Sequence, residues 1–392
     1  MTYILFDDAH RRNLLPFTHT RPVADIRCGI LTMRERWEQC LATTTGTLTE
    51  DYLQQVFPTK DGEQNLYING GVFGSMALAN AIYKLEAGQI LMKGELVIAA
   101  NTGGGQPAIA QFLRQIQSLP AQQTDIEVNA LKNVWDIFSQ NDRAIREDYA
   151  LLTLGRTSAA IPEHVTVAGK EHLFIEDGAR IYPGTIINAT AGPVYIGKDA
   201  EIMEGAIMRG PLALCEHATI KMGAKIYGAT TIGPGCKVGG EISNTVFFAN
   251  SNKGHDGFTG NAVIGEWCNL GADTNCSNLK NNYDTVKIWH EADEAYVSTG
   301  LTFCGLLMGD HSKCGINTMF NTGTVTGVSC NIYGGDFPDK YIPSFSWGGE
   351  TMVTYAFDKA MDTANRMMGR RGQQLTPQAI AMYRYIFDHS KH

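Results

Sequence analysis

Between positions 175 and 244 an aliphatic or near-aliphatic residue returns at every sixth position. The series runs Ile175, Ile181, Ile187, then after three extra residues Ile196, Ile202, Met208, Leu214, Ile220, Ile226, Ile232 and Val238. A helix repeats at 3.6 residues and a half-buried strand at two, so neither produces a period of six. Small residues follow the aliphatics, as in Ile196-Gly-Lys-Asp-Ala and Ile232-Gly-Pro-Gly-Cys. The pattern predicts short parallel strands wound into a solenoid, three hexapeptides to a coil. One such coil is too thin to bury its own apolar side chains, so stacked coils must share a core. Gly, Ala, Asn and Asp suit the tight turns between strands.

Ahead of the repeats the period changes. Residues 3–6, 66–69 and 95–100 read as strands, and 30–40, 78–86 and 107–118 as helices, which predicts a mostly parallel α/β domain. The expected division is an α/β domain over 1–155, the solenoid over 160–335 and a helical cap over 336–392. The hexapeptide register breaks over 244–258, and a polar insertion carrying Trp289 and His290 occupies 281–299. Regular repeats return at Cys314, Phe320, Thr326 and Ile332. At 18 residues each this makes roughly eight or nine coils. Two amphipathic helices, at about 354–368 and 377–388, are expected to cover the open end.

Composition narrows the class. A chain of 392 residues with 44% hydrophobic content is long enough for two or three domains. A net charge of -8 gives no basic surface for nucleic acid. The nine cysteines are scattered and include no Cys-x-x-Cys pair, so they predict small buried hydrophobes rather than a disulfide or zinc framework. The opening Met1-Thr-Tyr-Ile-Leu-Phe-Asp-Asp lacks a basic start followed by a long apolar run, and no stretch reaches membrane-spanning length. A cytoplasmic protein with no membrane partner is expected.

The first strand, Leu15-Pro16-Phe17-Thr18 and Arg21-Pro22 resemble the opening of sugar nucleotidyltransferases. The longer run through Arg21-Pro-Val-Ala-Asp-Ile-Arg-x-Gly-Ile-Leu-Thr resembles the N-terminal domain of the GlmU-type family, in a variant found in Bacteroidetes. The resemblance implies a nucleoside triphosphate gripped by a loop and Mg²⁺ offsetting phosphate charge. The sequence departs from the family at three points: Asp7-Asp8-Ala9-His10 stands at the Gly-rich loop, Val23 at a lysine and Gly71 at a metal-binding Asp. Arg11, Arg12, Arg21 and Asp25 are the candidate nucleotide- and phosphate-binding residues, because a guanidinium can clamp phosphate oxygens in a fork. The metal ligands are not assignable. The same arginines could instead pair with Asp7, Asp8 and Asp25 in a lid or dimerisation unit without chemistry.

The solenoid resembles the left-handed parallel β-helix of hexapeptide-repeat acyltransferases, and the residues around its register break resemble the acetyltransferase half of the GlmU-type family. His255, three residues ahead of Phe258, stands at the family's catalytic base, with Phe258 at its tyrosine. Asn269 and Asn278 keep the spacing of two family asparagines, Leu279 replaces a tyrosine, and Glu241-x-Ser243 replaces Glu-x-Lys. Lys253 belongs to the same series. The resemblance implies His255 as general base, with Glu241, Ser243, Lys253, Phe258, Asn269 and Asn278 binding substrate. Acetyl-CoA would be the acyl donor, glucosamine 1-phosphate the acceptor and UTP with Mg²⁺ the second substrate, giving UDP-N-acetylglucosamine in a homotrimer.

The resemblance also points to Asp310-His311-Ser312-Lys313 as a contributor to the coenzyme site. His217, His290 and His311 raise a zinc-dependent reading, but no histidine pair has the required spacing. Two further readings stay open. One is a nucleotidyltransferase for another sugar 1-phosphate, such as glucose 1-phosphate with dTTP, in which the β-helix only trimerises. The other is a sugar-nucleotide-binding scaffold without turnover.

Overall fold

The computed structural model describes residues 1–60, 62, 64–105 and 107–390. Two compact units emerge: residues 1–26, 31–134 and 376–385 form one, and 27–30, 135–375 and 386 onward form the other.

The first unit holds a six-stranded sheet: β1 Thr2–Phe6, β2 Gly46–Leu48, β3 Asn65–Asn69, β4 Gln89–Lys93, β5 Leu96–Gly103 and β6 Ala121–Gln123, in the order 2-1-3-5-4-6. β1 runs parallel to β2 and β3, but β5 is antiparallel to both of its neighbours. Five of the six strands therefore run one way, as the expected mostly parallel sheet requires, and β5 alone is reversed. The cause is local: only Gly94 and Glu95 join β4 to β5, and a two-residue link can only reverse the chain. Gly94 takes a φ of 59° to do so. The helix Ile109–Ile116 lays Ile109, Phe112 and Ile116 on a core with Ile4, Phe6 and Tyr67. The helix Met33–Leu41 starts from a capping box in which Thr32 and Glu35 satisfy each other's backbone N–H groups.

The second unit is a parallel β-helix. Its first face has eight strands, from Thr166–Ala168 to Met319–Phe320. The second has nine, from Leu173–Ile175 to Tyr341–Ile342. The third has ten, from Arg180–Ile181 to Ser346–Gly348 with Met352–Thr354 added antiparallel. The winding starts at Thr166, ahead of the regular hexapeptides, because Val167 and Leu173 already point inward while their neighbours do not repeat at six. Every hexapeptide aliphatic from Ile175 to Val238 is buried in one core.

The register break over 244–258 is a contraction. Glu201 and Thr219 are paired eighteen residues apart, whereas Lys225 pairs with Glu241 at sixteen and Thr231 with Val246 at fifteen. Shorter turns keep the strands in register, so no loop leaves the helix here. The insertion over 281–299 does leave it, as the hairpin Lys287–His290 with Ala295–Ser298. At the carboxyl end, Phe345 is fully buried, with the rings of Phe357 and Phe387 at 6.1 and 5.1 Å. These belong to the helices Phe357–Gly369 and Pro377–His389. A further helix, Asn141–Thr153, lies on the second face, where Asn141 accepts from Gly29 N–H at 2.7 Å and donates to Ala229 at 2.7 Å. All nine cysteines are free and buried. Among the described residues no helix is long and apolar enough to cross a membrane.

Candidate functional site

In the first unit a pocket of about 620 Å³ opens beyond the carboxyl end of β1, where open α/β sheets bind ligands. Its walls are largely apolar, with Asp8, His10, Glu95, Gln117 and Lys132 supplying the polar side chains. Asp8 Oδ2 meets His10 Nδ1 at 2.8 Å and accepts from Asn69 at 2.9 Å. Burial pushes this carboxyl up, but the bonds from His10 and Asn69 prevail and hold it below its usual range.

None of Arg11, Arg12, Arg21 and Asp25 lines this pocket. Arg11 turns inward, with Nη2 donating to Thr18 O at 2.6 Å and to the Tyr52 hydroxyl at 2.8 Å, and Nε 3.3 Å from Asp7. Asp25 is held in a fork by Arg34 at 2.7 and 2.9 Å. Arg21 is buried and Arg12 exposed. Three of the four are thus committed inside the fold, since a buried charge must be paired. Asp8 and His10 were visible in the sequence as the substitute for a Gly-rich loop. Lys132 arrives from far along the chain and left no local signal.

In the second unit, Glu241 and Ser243 project from the first face while Ile242 between them enters the core. Pairing sets Lys225 and Tyr227 beside them in the preceding coil, and Phe258 and Gly260 in the next. Tyr227 donates to Glu241 at 2.6 Å, and this bond pushes its hydroxyl up to about 12. Asn278 donates to Asn261 at 2.8 Å. A Cβ on Gly260 would lie 2.6 Å from both Phe258 Cζ and Asn278 Nδ2, so glycine lets these two side chains converge.

His255 stands in the turn between Asn252–Lys253 of the third face and Phe258–Gly260 of the first. Its imidazole is exposed and makes no hydrogen bond among the described residues. The turn itself is held from within. Lys253 is 1% exposed, and its ammonium donates to the carbonyls of Gly239, His255 and Asp256 at 3.3, 2.8 and 3.2 Å. Burial lowers the pKa of this amine. Lys253 therefore shapes the His255 turn and does not face solvent.

Asn269 lies around that corner on the third face. Lys237, Asn252, Asn269 and Lys313 occupy the same outward position in four successive coils. They floor a cleft of about 620 Å³ whose other wall carries Arg366, Met367, Arg370 and Arg371. The structure thus brings Glu241, Ser243, Phe258 and Asn278 together on one face, sets Asn269 on the next, and leaves His255 at the edge between them. Tyr227 was missed by sequence reading because its partnership with Ser243 depends on the contracted coil. The arginines were missed because the terminal helices read only as a cap, although Arg366 and Arg370 share a helix face at a spacing of four.

His217 and His311 take positive φ at coil corners, and His290 pairs with Asp293 at 2.9 Å. Among the described residues no group of three His, Cys, Asp or Glu side chains could hold a metal ion.

Residues 3–157 match the Sugar nucleotidyl transferase family, and the chain carries that domain. The chain is 28% identical over 135 residues to the Bifunctional protein GlmU of Methanocaldococcus jannaschii, covering 34% of this chain and 30% of that protein. Among solved structures, the polySia specific acetyltransferase NeuO aligns over 49% of this chain and 87% of its own, with 15% identity and a TM-score of 0.28. The "Putative uncharacterized acetyltransferase YaiX" of Escherichia coli K12 is 30% identical over 159 residues, which cover 40% of this chain and 68% of YaiX. The chain is a transferase, and it belongs to the family of YaiX.

Proposed function

We propose that the protein transfers the acetyl group of acetyl-CoA to the amine of glucosamine 1-phosphate, with His255 as general base, and joins the product to UMP from UTP, releasing pyrophosphate, to give UDP-N-acetylglucosamine. The observation that carries the reading is His255, an exposed and unpaired imidazole at the edge between the Glu241–Phe258 face and the cationic cleft. Imidazole suits the task because its ordinary pKa lies near neutral pH.

The amine would lie over the first face, with Glu241 and Asn278 offering oxygen and amide groups to the sugar. His255 takes a proton from the neutral amine as its nitrogen attacks the thioester carbonyl. The C–S bond then breaks, the thiolate takes up a proton, and an amide and a free thiol remain. Backbone N–H groups at the glycine-containing corners are suited to the oxyanion.

For the nucleotidyl step the pocket beyond β1 offers Asp8 and Glu95. Mg²⁺ typically takes one or two carboxylates plus substrate phosphates, and these two would hold it, offsetting triphosphate charge. Lys132 in the same wall would draw the phosphates. The assembly is proposed as a homotrimer.

The test is thiol release from acetyl-CoA in the presence of glucosamine 1-phosphate, beside His255→Ala. Release that falls by roughly 10² or more in the variant is expected for a general base. No release from the intact protein over a panel of amino-sugar phosphates would remove the acetyl-transfer reading. Pyrophosphate release from UTP or dTTP with other sugar 1-phosphates would then identify a nucleotidyltransferase that uses the β-helix for assembly, and ligand-induced thermal shifts without turnover a scaffold.

A further inference from the structure

One position in the core of the β-helix breaks the pattern of its neighbours. On the third face the inward column runs Ile220, Val238, Lys253, Leu270 and Cys314 in successive coils. A lysine thus stands where the coils before and after it bury an apolar side chain. Taking an ammonium out of water is costly, and a well-packed apolar residue of similar volume serves a core as well or better. The lowered pKa of this amine reflects the same burial. Stacking alone therefore gives no reason for a charge at this point.

The ammonium acts on the turn beside it. Of its three acceptors, Gly239 O belongs to the preceding coil, and His255 O and Asp256 O belong to the turn itself, at 2.8 and 3.2 Å. In a planar trans peptide the C=O and the N–H point opposite ways. Two successive carbonyls drawn onto one ammonium therefore turn the N–H groups of Asp256 and Gly257 away from it. The groups that follow are committed: Gly257 O accepts from Glu241 N–H at 3.1 Å, and Phe258 N–H donates to Asn275 Oδ1 at 2.9 Å. Neither the Asp256 nor the Gly257 N–H has a hydrogen-bond partner among the described residues. Successive backbone N–H groups in a turn form a concavity suited to an anion. Here they belong to the two residues that directly follow the exposed His255.

We propose that the Asp256 and Gly257 N–H groups receive the oxyanion formed when the acceptor amine adds to the acetyl thioester, and that Lys253 is the positioning residue that aims them. The inference rests on the acetyl-transfer reading and names the donors that this reading leaves open. The amine nitrogen bonds to the thioester carbon, the C=O electron pair moves onto oxygen, and the oxygen lies against the two N–H groups while His255 takes the proton from nitrogen. As the carbonyl re-forms, the C–S bond breaks and the departing thiolate is protonated. Donors fixed before the charge develops need no rearrangement as it forms. Lys253 holds them from inside the coil, on the side that substrate does not reach.

Thiol release from acetyl-CoA with glucosamine 1-phosphate, measured on the full chain and on Lys253→Met, tests this. Methionine fills irregular core space and suits the apolar column, so the unfolding temperature should hold or rise. The kcat should nevertheless fall by about tenfold or more, somewhat short of the roughly 10²–10³ lost when an oxyanion donor is removed outright. The KM of both substrates should stay within about twofold, because the donors act on the transition state rather than on bound substrate. Lys253→Gln, whose amide can keep one of the carbonyl contacts, should lie between the two and carries the test if the methionine variant does not fold. A lysine that serves only the structure would give the opposite: a lowered unfolding temperature, with activity following the folded fraction. That result, an unchanged kcat in the folded variants, or a loss confined to KM overturns the inference and leaves the acetyl-transfer reading in place. No thiol release from the intact protein overturns both.

Discussion

Asp7 shows how a residue standing where the resemblance puts a Gly-rich loop can serve the fold instead. It is fully buried, and burial pushes its carboxyl up to about 6 against the lowering pull of Arg11, Thr49 and Val23 N–H. The folded state therefore holds this proton more tightly than the unfolded chain, whose carboxylates titrate near 3.9. Protonation favours the fold, so the contribution is complete below about pH 4 and is lost as the pH rises through about 6. The full effect is about 3 kcal/mol at 1.36 kcal/mol per unit. Asp7→Asn should flatten the fall in unfolding temperature between pH 4 and pH 6.5. An unchanged slope in the variant would assign the pH dependence to other groups. The arginines nearby were legible as a charged loop after the first strand, but the sequence carries no sign that Arg11 would be drawn toward Thr18, Tyr52 and Asp7. Lys253 follows the same logic, since its position beside His255 was readable and its inward ammonium was not.

At the scale of the element, the β-helix is the part most completely written in the sequence. A period of six in buried aliphatics has one economical solution, and the glycine after Ile232 has a measurable reason. A Cβ on Gly233 would lie 1.3 Å from Phe248 O of the next coil. Gly233→Ala must therefore push two coils apart, which is expected to destabilise the second unit by about 3 kcal/mol or more. Denaturant unfolding of the full chain checks it, and a variant within 0.5 kcal/mol of the parent, the ordinary surface range, would show that the coils can shift without strain. The contraction over 244–258 marks the limit of such reading. A lost residue and an outward loop disturb a hexapeptide pattern in the same way, and only strand pairing tells them apart. The one reversed strand of the first unit, β5, was hidden for a similar reason, because β4 leaves little periodic signal and its hairpin with β5 sets the reversal.

For the molecule as a whole, the proposed trimer has a surface to explain it. Ile186 and Ile207 are cross-strand neighbours on the first face, 42% and 50% exposed. Adjacent apolar side chains facing outward from a regular column suggest a covered surface. Sedimentation equilibrium should return three chains per particle, and Ile207→Glu should shift the mass toward one. A single chain for the unaltered protein would remove the trimer, and an Ile207→Glu trimer would move the contact to another face.

The order of residues alone determined the solenoid, its core positions, the small residues at its corners and the series from Glu241 to Asn278, because each depends on spacing along one chain. Tertiary structure decided which of those residues share a face. Stacking brings Tyr227 to Glu241 and lines up Lys237, Asn252, Asn269 and Lys313, four residues that no short motif unites. It also carries Arg366 and Arg370 from the terminal helix to the same cleft. Local spacing is set by covalent geometry and can be read directly. Convergence of distant side chains depends on the length of every turn between them, and one shortened coil is enough to change which groups meet.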